Sequence, residues 1–462
     1  MPCFFSFRWL DAELMKKSLG TQKSYLDSIK LFYEFWFNKY NETLDYSFYK
    51  SNYQDIDSIL VELDAFWDYL LAGKEITNIK RFPSFKNKNI KPQRTASKHC
   101  GVLCQFIKFL SNTYLTTSYQ DESTDILRRL RLENNERISE KRQQFSKFIN
   151  SNRNTRTFET LRSLTKNQYQ NLLETIRPDE MKPVRNKEND TVDFLMVKEN
   201  PLNTLNTYEV QMRNYLLTTL LVKYGLRIGE SLLLRTGSFI KSEVYANTYI
   251  MKVRNLSDDD TNDIALDDER NYKPQIKTNY SIRELHVREK DYKLLMLYYK
   301  FIRSSKCTHD FIFSSSKKPF KPVSYSTILT QFSSAITSFR KNFPEHFNED
   351  YAESITQNIT PHWLRHTWAY NTMMVLYEQH EKKCIKAGFI NTQGLMEDVK
   401  EELRIQGGWS EKSTMPSKYA KRFIQDEANK KLMEAYSNHK DVDLFSDDSL
   451  MEGQLNGKRT SN

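Results

Sequence analysis

The chain has 462 residues, which predicts two or three domains with ample hydrophobic core. Its 69 lysines and arginines outnumber the 59 aspartates and glutamates, so the formal net charge of +10 favours a polyanionic partner such as nucleic acid. The sequence excludes a membrane span, since no apolar run approaches the required length, and it excludes zinc-finger spacing among its five scattered cysteines.

The N-terminal part of the chain predicts a helical domain. Residues 1–20 are expected to form an arm or a short helix, and they turn acidic too soon for a signal peptide. Apolar side chains then recur at helical spacing in three stretches, residues 21–40, 56–72 and 94–114. Thr21 is the expected N-cap of the first of these helices. We therefore predict a small helical domain over residues 21–115.

A basic loop that contains two prolines interrupts this domain. Residues 80–94 read KRFPSFKNKNIKPQR, and the basic side chains in this loop are Lys80, Arg81, Lys86, Lys88, Lys91 and Arg94. A cluster of this kind is a candidate for contact with phosphate groups, and the alternative is an ordinary solvated loop.

The rest of the chain predicts a connection, a larger domain and a tail. Residues 116–160 are polar and highly charged, so we interpret them as the interdomain linker. The second domain, residues 161–439, is expected to open with a helix capped by Thr165. Residues 177–205 predict a loop or an insertion. The polar tail, residues 440–462, is expected to be disordered.

Two predicted strands lie within the second domain. Residues 247–255 and 276–287 alternate as strands do, and the stretch between them, residues 256–274, is strongly acidic. Because acidic side chains repel phosphate, we expect this stretch to point away from a polyanion or to contact a basic partner surface.

The most informative stretch is ITPHWLRHTWAYNTM, residues 359–373. Thr360 can cap a helix, and Pro361 suits the first helical position. His362 and Arg365 are then three residues apart on one face, close to a helix N-terminus that favours a phosphate. Taken alone, this pattern is more typical of an ordinary capped helix start.

Three other stretches change that interpretation. KYGLRIGESLLLR, residues 223–235, places Arg227 at a turn before an apolar helix, and GGWSEKSTMPSKYAKRF, residues 407–423, places Trp409 ten residues before Tyr419. The predicted hairpin contains QIKTNYSIRELHV, with Lys277 near the start of the returning strand.

The order arginine, HxxRH, Gly-Trp and tyrosine resembles the tyrosine recombinase, or phage integrase, family. The resemblance covers roughly residues 160–435, including the family's active-site positions, and more loosely residues 15–115. It implies a mainly α fold with a small antiparallel β-sheet, in which a helical core-binding N-terminal domain and an α-rich catalytic domain clamp DNA. The sequence departs from the family at Pro416, which should break or restart the helix three residues before Tyr419.

The resemblance also implies a role for each site residue. Tyr419 would be the nucleophile, Arg227 and Arg365 would bind the phosphate oxygens, and His362 would donate a hydrogen bond or move a proton. Lys277 would protonate the leaving 5′-oxygen, with Lys273 and Lys252 as rivals.

Three further positions would support this chemistry. Trp409 would pack the site and donate its indole N–H to the phosphate, Glu230 would orient its neighbours, and His366 would support the site from behind Arg365. Each of these residues alone is more often structural, so the assignment depends on their joint order. No cofactor is expected, and we reject zinc because HWLRH lacks the glutamate of HExxH and no third ligand is evident.

The function implied is a site-specific DNA recombinase that cuts and rejoins strands through a covalent 3′-phosphotyrosine and a Holliday junction. Such an enzyme would act as a homotetramer on double-stranded target sites, with accessory DNA-bending proteins as possible partners, in the cytoplasm or nucleoid. Integration or transposition of a mobile genetic element is the setting that the family suggests. Two alternatives stay open: a type IB topoisomerase, and a non-catalytic architectural DNA-binding protein of the same fold.

Overall fold

A computed structural model describes most of the chain: residues 3–51, 56–72, 92–118, 123–151, 162–185, 192–205, 207–254, 268–270, 273–274, 279–351, 353–387 and 394–438. The chain divides into two compact units, Met1–Glu159 and Thr160–Asn462. The fold is mainly α with two small antiparallel sheets, which confirms the predicted fold class. Within the described ranges, no helix is both long and apolar enough to cross a membrane.

The first unit is entirely helical in its described part. Its helices are α1 (Phe4–Trp9), α2 (Leu19–Tyr40), α3 (Leu44–Lys50), α4 (Ile56–Ala72), α5 (Gln93–Ser118) and α6 (Thr124–Ser151). The N-cap of α2 is Ser18, whose hydroxyl accepts from the backbone N–H of Thr21 at 3.4 Å, so the cap lies three residues before the predicted one. Thr43 caps α3 in the same way.

Both ends of this unit are helical and contribute to its core. The N-terminal residues, predicted as an arm or a short helix, form α1 and a π-helical turn, and they bury Phe5, Trp9 and Leu14 in the core. Most of the predicted linker is α6, which packs along α5 and places Ile138 and Phe145 in the same core. The two apolar residues are seven apart on one face, a signal that the many charges of α6 conceal.

The second unit contains eight helices and five strands among its described residues. In chain order these are α7 (Lys166–Ile176), β1 (Glu180–Arg185), β2 (Val192–Lys198), α8 (Tyr208–Tyr224), α9 (Ile228–Leu232), β3 (Phe239–Lys241), β4 (Thr248–Val253), β5 (Arg283–Arg288), α10 (Glu289–Leu297), α11 (Tyr325–Asn342), α12 (Pro361–Lys386), α13 (Leu395–Gly407) and α14 (Met415–Asn438). Thr165 caps α7 in a capping box with Gln168.

Two antiparallel sheets accompany these helices. Strands β3, β4 and β5 form one sheet in that order, with Met251 opposite Leu285. Strands β1 and β2 form a separate hairpin within residues 177–205, which the sequence predicted as a loop or an insertion. Pro183 on β1 interrupts the alternation that would have indicated a strand.

The core of the second unit determines where its helix ends lie. Helix α8 is buried along most of its length, and α12 packs against it. Helices α13 and α14 pack on the other side of α12 around a smaller cluster that includes Trp368, Val399, Leu403 and Phe423. The ends of α8 and α13 and the start of α12 therefore meet in one region.

The acidic stretch between β4 and β5 has a buried end. Asp268 and Arg270 are both buried, and the carboxylate accepts from the guanidinium at 2.7 and 2.6 Å. Arg270 also donates to the backbone carbonyl of Leu232 at 3.2 Å. The C-terminal end of the stretch therefore belongs to the core, and its direction relative to a polyanion stays a prediction. The preceding residues, 255–267, lie outside the described residues.

Candidate active site

A tight turn between α8 and α9 forms one wall of the site. Helix α8 ends at Gly225, whose φ of 63° lies in the left-handed region that glycine adopts at no steric cost. The indole of Trp368 packs so closely on Gly225 that a Cβ atom there would overlap it. Arg227 follows as the N-cap residue of α9, and its side chain is 26% exposed.

Arg365 joins three segments of the chain. Its side chain leaves α12 in the second turn, is 1% exposed, and donates to the backbone carbonyls of Gly225 and Gly407. The guanidinium also lies 4.7 Å from the ring centroid of Trp409. Its Nε atom is buried and has no hydrogen-bond partner among the described residues. Arg365 therefore has an N–H group left that could donate a hydrogen bond to an incoming anion.

Three arginines surround one buried carboxylate, that of Glu230, which is 2% exposed. Arg227 contacts Glu230 directly, Arg283 donates to its Oε2 at 3.0 Å, and Arg365 lies 4.0 Å away. Burial alone would raise the pKa of Glu230, but the charges of the three arginines outweigh burial and hold this pKa below its ordinary value. Because one carboxylate neutralises only one of the three arginines, the cluster keeps excess positive charge for a phosphate.

Tyr419 faces this cluster from α14. Its ring is 3% exposed and stacks on Trp409 at 5.1 Å, while its hydroxyl lies 3.1 Å from Nε2 of His362. The ring of His366 lies 4.2 Å from the ring of Tyr419 on another side. The predicted nucleophile, the two histidines and the tryptophan thus form one contiguous group.

The protonation states in this group follow from its surroundings. Burial raises the pKa of Tyr419, and the charges of Arg365 and Arg227 partly oppose that effect. Burial, together with the charge of His362 and of nearby arginines, lowers the pKa of His366 to about 3. Tyr419 is therefore a neutral phenol at neutral pH, and His366 is a neutral imidazole.

Helix α14 is anchored close to Tyr419. Arg422, three residues further along, donates to the backbone carbonyl and the hydroxyl of Ser163, and Tyr370 of α12 donates to Asp426 at 2.9 Å. Pro416 lies in the first turn of α14, where no intrahelical N–H is needed. The prediction that the helix restarts at this proline is confirmed.

The predicted general acid, Lys277, lies outside the described residues. The described chain resumes at Asn279, and Ser281 is completely buried and accepts from Arg227 at 3.2 Å. Of the rivals of Lys277, Lys252 lies 4.0 Å from Glu284, and Lys273 is exposed.

Most of the predicted N-terminal DNA-binding loop also lies outside the described residues, namely Lys80, Arg81, Lys86, Lys88 and Lys91. Arg94 is exposed in the first turn of α5. One turn later, Lys98 donates to the hydroxyl of Ser24 on α2 at 2.7 Å.

The sequence interpretation missed Arg283 and Ser281. Arg283 donates to Glu230, and Ser281 bridges Arg227 to the backbone carbonyl of Gly408 at 3.4 Å. Both residues lie just after Lys277, within the stretch already singled out. The need of a buried Glu230 for more than one cation is the signal that could have revealed Arg283.

Chemically, the arrangement is an anion site beside a phenol. Two arginines are held close to the start of a helix, a buried tyrosine hydroxyl contacts a histidine, and Trp409 stacks on that tyrosine. Among the described residues, no three His, Cys, Asp or Glu side chains gather as metal ligands would.

No protein-family model and no curated protein sequence matches this chain. Solved structures that it is similar to include two complexes of the XerH site-specific recombinase with difH substrate. The post-cleavage complex with palindromic difH has a TM-score of 0.34 at 14% identity, covering 81% of this chain and 96% of that chain. The pre-cleavage complex has a TM-score of 0.30 at 14% identity, covering 77% of this chain and 94% of that chain. With TM-scores this low, the function of this chain is inferred from its own side chains.

Proposed function

We propose that this chain is a site-specific DNA recombinase of the tyrosine type. The Tyr419 oxygen attacks a DNA phosphodiester, a bond forms between that oxygen and phosphorus, and the bond from phosphorus to the 5′-oxygen breaks. The products are a 3′-phosphotyrosyl protein and a free 5′-hydroxyl. Attack by a 5′-hydroxyl from a second duplex reverses the step and joins the strands through a Holliday junction.

The observation that carries the proposal is the contact between Tyr419 and His362 beside a buried arginine cluster. Aromatic packing alone does not require a tyrosine hydroxyl to lie 3.1 Å from an imidazole nitrogen. The fold also buries Arg365 close to this contact, with an Nε donor that has no partner in the described part of the chain. A phosphate bound between Arg365, Arg227 and the start of α12 would satisfy that donor and bring the phosphorus toward the phenol.

The arginines supply the electrostatic part of the mechanism. Phosphoryl transfer accumulates negative charge on the non-bridging oxygens, and cations held in a buried site stabilise that charge without reorganising. Arg365 is held by two backbone carbonyls, and Arg227 is held by Glu230 and Ser281. Both guanidiniums are therefore positioned before the phosphate arrives.

Two proton transfers complete the step. His362, when neutral, accepts the phenol proton at Nε2 as the Tyr419 oxygen bonds to phosphorus. Lys277 donates a proton to the departing 5′-oxygen. Burial raises the pKa of Tyr419, and the positive charges of Arg365 and Arg227 offset part of that rise.

The partners that follow from this reaction are two double-stranded target sites and further copies of the chain. A homotetramer matches an exchange of two duplexes, each cut on both strands, and accessory DNA-bending proteins could bring the sites together. The basic loop around residues 80–94 would add phosphate contacts from the first unit. The protein would act in the compartment that holds the DNA.

A covalent trap tests the proposal directly. The protein is incubated with randomly fragmented DNA from its own source and denatured, and the DNA that stays attached is sequenced at the junction. Attachment at one sharp sequence supports the recombinase, whereas attachment at many unrelated sequences supports a type IB topoisomerase. Binding without attachment supports the architectural alternative.

Two variants make the trap specific for the nucleophile. Tyr419→Phe should keep DNA binding and lose all attachment, because only the phenolic oxygen is removed. Tyr436→Phe, a change on the same helix, should attach DNA as the unchanged protein does. Attachment that persists in Tyr419→Phe and disappears in Tyr436→Phe would contradict the assignment.

A further inference from the structure

Arg283 is the most fully engaged cation near the site. It begins β5, and its side chain is 6% exposed. Its three donor groups reach three different acceptors: Glu230 at 3.0 Å, the carbonyl of Gln406 at 2.9 Å and the carbonyl of Ser281 at 2.8 Å. Each of the three guanidinium nitrogens already donates a hydrogen bond within the protein, so Arg283 is poorly placed to bind a phosphate itself.

The two carbonyl contacts determine where Arg283 can be. Gln406 lies in the last turn of α13, directly before the Gly407–Gly408 turn that leads to Trp409. Ser281 closes the segment that follows Lys277. Both carbonyls hold the guanidinium in one place, and its remaining nitrogen then meets Glu230.

Glu230 competes with a phosphate for the same arginines. It already contacts Arg227, and its Oε2 lies 4.0 Å from Arg365. A buried carboxylate with too few partners attracts the nearest guanidinium strongly, because its charge is poorly screened. A small movement would turn the 4.0 Å separation into a direct ion pair and withdraw Arg365 from the phosphate.

We propose that Arg283 is a positioning residue, which occupies Oε2 of Glu230 so that Arg365 stays directed at the phosphate. This inference rests on the proposed function and deepens it. Arg283 does not touch the reacting atoms, and its effect passes through Glu230. Arg227 and Arg283 thus pair with the two oxygens of the carboxylate, and Arg365, 4.0 Å away, remains available.

The test measures strand cleavage in a single turnover. In a duplex with a nick just downstream of the cleavage site, attack releases the short fragment that carries the new 5′-hydroxyl, so the covalent product accumulates and is counted on a denaturing gel. Arg283→Ala should lower the cleavage rate about 100-fold, the loss expected when one aligned donor leaves the phosphate. Binding of the same duplex, measured by fluorescence anisotropy, should change less than about threefold.

A second change at Glu230 separates positioning from a merely structural role. If Arg283 acts by occupying the carboxylate, Glu230→Gln removes the competitor, and the double variant should cleave faster than Arg283→Ala alone. A role confined to holding β5 predicts instead that the two losses add. Arg283→Lys keeps the charge but not the three contacts, so it should recover part of the rate.

Arg288→Ala is the matched control, because Arg288 ends the same strand and its exposed side chain pairs with Asp291, away from Glu230. It should cleave at the unchanged rate. Equal rates for Arg283→Ala and Arg288→Ala, or additive losses in the double variant, would overturn the inference. Failure of the unchanged protein to form any covalent product would overturn the proposed function itself. A thermal melt of each variant shows whether it has folded.

Discussion

The hydroxyl of Tyr419 lies 3.1 Å from Nε2 of His362, although the tyrosine ring itself is almost fully buried. His362 is exposed at the start of α12, so the contact joins a buried phenol to the surface at which a phosphate would arrive. A DNA strand bound at this surface, as proposed, would contact His362 first, with the phenol of Tyr419 behind it.

Arg365→Ala should abolish cleavage and also destabilise the second unit. The change removes the donor with the free Nε and leaves the carbonyls of Gly225 and Gly407 without the guanidinium that they bind. Cleavage should fall by several orders of magnitude, and unfolding by urea should show a loss of about 3–5 kcal/mol. Single-turnover cleavage and urea melts measure the two effects separately.

Arg365→Lys tests whether charge alone is enough. Lysine keeps the positive charge but cannot reach both carbonyls as the planar guanidinium does. It should therefore recover part of the stability and little of the cleavage. Cleavage within tenfold of the unchanged protein in either variant would contradict the assigned role.

Gly407→Ala should displace Trp409. A Cβ atom at this position would overlap the six-membered ring of the indole, which must then leave both Tyr419 and Arg365. We expect slower cleavage and a shift in tryptophan fluorescence toward longer wavelength. Gly237→Ala is the control, since a Cβ atom there has no neighbour within 4 Å among the described residues. Similar spectra for the two variants would argue against this packing.

His366 should make the protein less stable in acid. Its folded pKa of about 3 lies below the ordinary value of 6.5, so the unfolded chain binds a proton that the folded chain does not. Stability therefore falls as pH drops from about 6.5 toward about 3, by at most about 1.4 kcal/mol per pH unit, and it is unaffected above this window.

His366→Phe keeps a ring against Tyr419 and removes the titration. Urea melts between pH 4 and pH 7 should show a flatter dependence than in the unchanged protein. Parallel curves for the two proteins would mean that the imidazole is accessible to protons in the folded state.

Lys277→Ala should lose cleavage of ordinary DNA and keep cleavage of DNA with sulfur in place of the bridging 5′-oxygen. A thiolate is a good leaving group and needs no proton, so the general acid becomes dispensable. Lys273→Ala and Lys252→Ala are the controls and should cleave both substrates normally. Rescue by sulfur in one of these controls, and not in Lys277→Ala, would transfer the role to the other lysine.

The order of motifs predicted which residues gather, and the structure shows why order was sufficient. Arg227 and Arg365 follow a glycine turn and a Thr-Pro helix start, and both features are local and visible in the sequence. Trp409 follows two glycines that end α13. Local signals of this kind can be recognised in the sequence without knowledge of the tertiary fold.

What the sequence did not reveal depends on contacts between distant residues. In the sequence, Arg283 is an ordinary arginine within a predicted strand. Its importance becomes visible only when the fold places it against Glu230, 53 residues earlier in the chain. The same applies to α6, whose charges conceal the two side chains that enter the core, and to Asp268, whose burial requires Arg270 and the carbonyl of Leu232. Burial of this kind is decided by packing rather than by periodicity.

The two carbonyls bound by Arg365 belong to Gly225 and Gly407, 140 and 42 residues away along the chain. On the ribosome, Gly225 and Arg365 emerge well before Gly407, so the guanidinium spends part of synthesis with one acceptor missing. Both acceptors of Arg365 are present only after α13 has been translated, and Tyr419 follows α13 in the chain. Of the residues that gather here, Tyr419 is therefore the last to be synthesised.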